Sequence, residues 1–158
     1  MNELKAKIQK AQSEGDIASL YILEAQAHET FDEDTLMAYY ANILDLALER
    51  LTNALENLER LDMSEVQDFA TLRALYEYAI EHYSAGSATD ASALFEVIGG
   101  LSEDEAFNAA MKIHRLACDA KIPFDEFINN KLIPSDPLMI ENFFNGGPRG
   151  NQHYQKRK

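Results

Sequence analysis

The chain has 158 residues, 46% of them hydrophobic and 26% charged, values of a globular domain that buries about 70% of the surface its unfolded chain exposes. Its 27 Asp+Glu against 14 Lys+Arg give a formal charge of −13, which repels phosphate backbones and argues against ordinary DNA or RNA binding. Cys118 is the only cysteine, which excludes an internal disulfide; with no signal-type apolar leader and no apolar run of membrane-spanning length, a cytoplasmic protein without membrane attachment is expected.

The charge is unevenly spread. Residues 14–144 hold 26 acids and 7 bases, a balance of −19. Lys5, Lys7 and Lys10 lie before this acidic body, and Arg149, Lys156, Arg157 and Lys158 lie after it. An acidic body of this kind suits a basic or amphipathic protein partner.

All four prolines lie at or beyond Pro123, and alternating β-branched runs are missing, so the expectation is an all-α fold, a bundle of about six to eight helices. The first helix is predicted over 3–13, with Leu4, Ile8 and Ala11 on one face and Gly15 as its stop. Asp16 caps a second helix over about 17–29. Asp32-Glu33-Asp34 sets negative charge at the start of a third, where the helix dipole favours it. This run lacks the glycine and the later ligands of a calcium loop.

The third helix, about 33–61, is the longest. Met37, Ala41, Leu44, Leu48, Leu51, Leu55 and Leu58 follow a 4-3 alternation, a heptad seam. In the N-terminal half Leu36, Tyr39, Tyr40, Ile43, Leu46 and Ala47 are added, so that half is apolar nearly all round and belongs in a core. The seam can pack on a neighbouring helix of the same chain or pair two copies as a homodimer; packing within the bundle is the expectation. Ser64 and Gln67 make a capping-box pattern for a helix over 65–84 that buries Phe69, Leu72, Leu75, Tyr76, Ala79, Ile80 and Tyr83. Gly86 ends it. A shorter helix carries Ala91, Leu94, Phe95 and Ile98 and stops at Gly99-Gly100. A second capping box, Ser102 and Glu105, opens a helix over about 103–120 with Ala106, Phe107, Ala110, Met111, Ile113, Ala117 and Cys118 inward. Short helices are expected over 124–131 and 137–144. Residues 1–145 read as a single helical domain, and 146–158 as a disordered basic tail.

Glycine-rich phosphate loops and nucleophile elbows are absent, and no cofactor is expected. Ala25, Ala79 and Met111 stand three residues before His28, His82 and His114, so the Glu-x-x-His pattern of di-iron bundles fails. Glu24 with His28, and His114 with Cys118, are spaced one helical turn apart. Either pair supplies two metal ligands, short of the three or four that zinc needs. His114 and Cys118 are also the best candidates for an enzyme, as a base and a thiol nucleophile; a buried thiol is inert, and the chain is not expected to be an enzyme. Tyr39, Tyr40, Tyr76, Tyr78 and Tyr83 are the candidate partner-binding residues, because tyrosine joins large contact area to a polar tip.

Residues 75–101 contain Leu75-Tyr76, Ala79, Tyr83, Gly86, Ala91 and Phe95 at the spacing of a helix–turn–helix unit. The segment resembles one tetratricopeptide repeat, and is most similar to the first repeat of the class II chaperones of bacterial type III secretion. The resemblance implies close helix packing at Ala79 and Ala91, a turn at Gly86, and a concave surface that holds a segment of another protein. It covers about a sixth of the chain; Ala117 stands where the next segment would carry its turn glycine, and Glu103 replaces the usual proline near the repeat end. Protein–protein interaction, as a binding module or chaperone-like adaptor, is therefore the expected function.

Overall fold

The computed structural model describes residues 2–129, and the expected helix over 137–144 and basic tail over 146–158 lie outside them. The protein is an all-α helical bundle, with eight helices and no strand among the described residues. They are α1 (Asn2–Glu14), α2 (Ile17–Ile22), α3 (Glu24–Thr30), α4 (Glu33–Glu56), α5 (Val66–Ser84), α6 (Ala88–Leu101), α7 (Glu105–Asp119) and α8 (Phe124–Asn129). The described residues form two compact units, one up to Leu75 and one from Tyr76, that part within α5.

In the first unit, α1 buries Leu4, Ile8 and Ala11, the stripe its spacing predicts. Gly15 stops it at φ +65, and the Asp16 amide then bonds to the Ala11 carbonyl at 2.9 Å. Asp16 caps α2 by accepting from the Ser19 amide at 3.0 Å. Helix was expected to run unbroken to about residue 29. It is interrupted at Leu23, whose amide closes on the Ser19 carbonyl while its own carbonyl receives the Ala27 amide. Asp32 caps α4 through the Thr35 amide at 2.8 Å.

The Ser64–Gln67 capping box does not form. Glu65 accepts the Asp68 amide instead, at 2.9 Å. Gln67 donates to the Asp16 carboxylate at 2.5 Å and accepts the Ala18 amide at 3.2 Å, tying the start of α5 to the start of α2. These bonds to Ser19 and Gln67 hold the Asp16 carboxyl below its usual range.

In the second unit, α5 ends as expected. Gly86 takes φ +90, and the Ser87 amide reaches back to the His82 carbonyl at 2.9 Å. Ala79, Ala91 and Phe95 are fully buried. Gly99-Gly100 does not stop α6, which runs on to Leu101. A Cβ added at Gly99 would lie 3.3 Å from Met111 Cβ, so the glycine serves the close approach of α6 to α7 rather than a turn. The cap of α7 is Asp104, which accepts the Phe107 amide at 2.8 Å, whereas Ser102 accepts the Asp104 amide. Each fully buried Leu, Ile or Phe here contributes about 1.5–3 kcal/mol relative to exposure.

Candidate functional site

The five candidate tyrosines are not one surface. Tyr39, Tyr76 and Tyr83 belong to the core, 4%, 5% and 3% exposed. Their hydroxyls are occupied: Tyr39 donates to the Leu20 carbonyl, Tyr83 to the Ile122 carbonyl at 2.6 Å, and Tyr76 meets His114 Nε2 at 2.9 Å. Burial, aided by the nearby Glu24 charge, raises the Tyr39 phenol well above its ordinary range, and burial does the same at Tyr83. Spacing alone cannot separate such residues from surface anchors, because a tyrosine ring packs like phenylalanine once a carbonyl receives its proton. Tyr40 and Tyr78 are half-buried. Tyr40 donates to Glu24, and Tyr78 stacks edge-on against His82 at 4.7 Å.

His114 and Cys118 are held in unreactive states. His114 is 1% exposed, between the rings of Phe95 and Phe127 at 4.9 and 4.7 Å. Its Nδ1 lies 2.7 Å from the Ala110 carbonyl, which can only accept, so Nδ1 carries the proton and Nε2 accepts from Tyr76. Burial lowers its pKa to about 4. Burial, with the Asp119 charge, pushes the Cys118 thiol up to about 12, far from an activated nucleophile. Glu24 is likewise committed. It is 2% exposed, 3.6 Å from the Arg73 guanidinium, which lies 3.9 Å over the Tyr21 ring. That polar cluster went unread in the sequence; a lone arginine beside Leu72 and Leu75 was its one sign. No group of three His, Cys, Asp or Glu among the described residues is placed to hold a metal ion.

The arrangement that remains open is on α4. The helix buries Tyr39, Ile43, Ala47 and Ala54. The heptad seam, expected to pack inside the bundle, is only partly covered. Met37 is 65% exposed, Leu55 55% and Leu58 93%; Ala41 is exposed, and Leu44, Leu48 and Leu51 are half-buried. At 100° per residue the seam and the buried set point roughly 110° apart. The core takes the face with Ala47 and Ala54 because small side chains let neighbouring helices approach. The six seam positions on the helix, Met37 to Leu55, are thus left as a stripe about 27 Å long, and Leu58 follows beyond the helix end. No helix among the described residues is long and apolar enough to cross a membrane. Comparison with known proteins gives no match, whether to a family model, a curated protein or a solved structure.

Proposed function

We propose that this chain is a helical protein-interaction module, an adaptor in the cytoplasm that docks a helix of a partner on the outer face of α4. One observation carries the reading: the heptad seam of α4 reaches the surface, with Met37 and Leu55 exposed at its two ends and Leu44, Leu48 and Leu51 half-buried between them. Contiguous apolar surface of this kind marks interaction sites in soluble proteins, and 3.5-residue periodicity is the signature of helix-to-helix contact. The α5–α6 turn at Gly86, with Ala79 and Ala91 fully buried, also supports the tetratricopeptide-like reading of that segment. Catalysis by His114 and Cys118 gains no such support, since both groups are buried and neutral.

A second reading draws on the same stripe: the seam pairs two copies of the chain. Immobilised protein tests the face itself. Met37→Glu and Leu55→Glu, both at exposed positions, are expected to keep the wild-type melting temperature and to lose partners that the wild-type column retains. Retention of the same proteins by both variants would place the interaction elsewhere.

A further inference from the structure

The occupant of the α4 face follows from its borders. One edge of the seam is closed, since Ala47 and Ala54 are buried in the unit's own core. The other edge carries Asp34, Asp45, Glu49 and Glu56, all exposed, with Glu49 also bordering the cleft that Gly15, Ile17 and Gln67 line. Their separations are close to whole numbers of helical turns, so the carboxylates form one line beside the apolar line. None of the four forms an ion pair among the described residues. Arg50, the only base on α4, is held on the other side by Glu59 at 3.5 Å and Asp68 at 3.3 Å.

We infer that this face receives a basic amphipathic α-helix of another protein, an inference that rests on the helix-docking reading above. Leucine-type side chains at heptad spacing fill the seam, and lysines or arginines on one flank meet the Asp34–Glu56 line. A second copy fits poorly. Paired antiparallel, the two acidic lines face each other; paired parallel, the line faces Tyr40, Ala47 and Ala54, which supply no base.

Two three-heptad peptides test this on the full chain. Both carry leucine on the seam; one has lysine on its flanks and the other glutamate. The lysine peptide is expected to bind about tenfold or more tighter, summing several modest flank pairs. Its affinity should fall as salt is raised. Glu49→Lys combined with Glu56→Lys should reverse the preference, and Leu55→Glu should abolish binding, with unchanged melting temperature in each case. Equal affinity for the two peptides, or an unreversed preference, overturns the basic partner while leaving a helix-docking face. A dimer by light scattering that Leu55→Glu dissolves overturns it in favour of the second copy. A monomer that binds neither peptide sinks both the inference and the function it rests on.

Discussion

Leu58 joins two unfavourable features. It is 93% exposed and its φ is +55, the left-handed region where a Cβ crowds the following carbonyl. It occupies the position after the α4 cap, where glycine is commonest, because the Glu59 amide closes on the Ala54 carbonyl at 2.8 Å. Leu58→Gly is expected to stabilise the protein by about 0.5–1 kcal/mol, the relieved strain exceeding the added freedom of the unfolded chain. Urea midpoints check this, and a clear loss would mean that the Leu58 side chain is packed. His114 makes a second prediction. Its folded pKa of about 4 lies below its ordinary 6.5, so the unfolded chain binds the proton first. Stability is therefore fully present above pH 6.5 and is lost as pH falls toward 4, by about 3 kcal/mol in all. Between pH 7 and 5 the His114→Gln variant should lack about 2 kcal/mol of the wild type's loss. Equal losses in both proteins would show that His114 is not the buried neutral group responsible.

Among the helices, α1, α5, α6 and α7 were legible from sequence because each has one dominant apolar stripe, and the structure buries Leu4, Leu72, Phe95 and Met111 on those stripes. α4 was legible in part: Tyr39, Ile43 and Ala47 of its all-round apolar half are buried as expected, but the helix has two apolar faces and the seam is not the inner one. Local pattern favours the seven-membered leucine seam; which face turns inward depends on the room left by neighbouring helices, a non-local property. The same limit hid the Gln67 link to Asp16, which joins residues 51 apart in sequence. The α5 stripe did place Tyr76 and Tyr83 inward, and their burial removes them, with Tyr39, from the candidate partner-binding set. The acidic character of the candidate site was readable from composition, while its position was not. The orientation of α4 is directly testable. Ala47→Leu should overpack the core and cost about 1–3 kcal/mol, whereas Leu55→Ala should stay within about 0.5 kcal/mol. Reversed costs by thermal denaturation would restore the leucine seam to the interior.

Across the whole molecule the formal charge is −13. Ion pairs among the described residues include Arg50–Glu59, Arg50–Asp68 and Arg73–Glu24. The first two reach solvent and contribute little; the third is largely buried and poorly screened by salt. Self-repulsion then outweighs surface attraction, so moderate salt is expected to raise the thermal midpoint, by roughly 2–4 °C for about 1 kcal/mol of relief. Calorimetry at low and physiological ionic strength measures this, and a falling midpoint would show that attractive pairs dominate. The single cysteine has a practical consequence. With its thiol 1% exposed and pushed up to about 12, about one Cys118 in a hundred thousand is ionised at pH 7. A maleimide dye should therefore pass over the native protein and react with a cysteine introduced on the surface. Leu55→Cys would thus carry a fluorophore at one known spot on the molecule, with the natural thiol left in place.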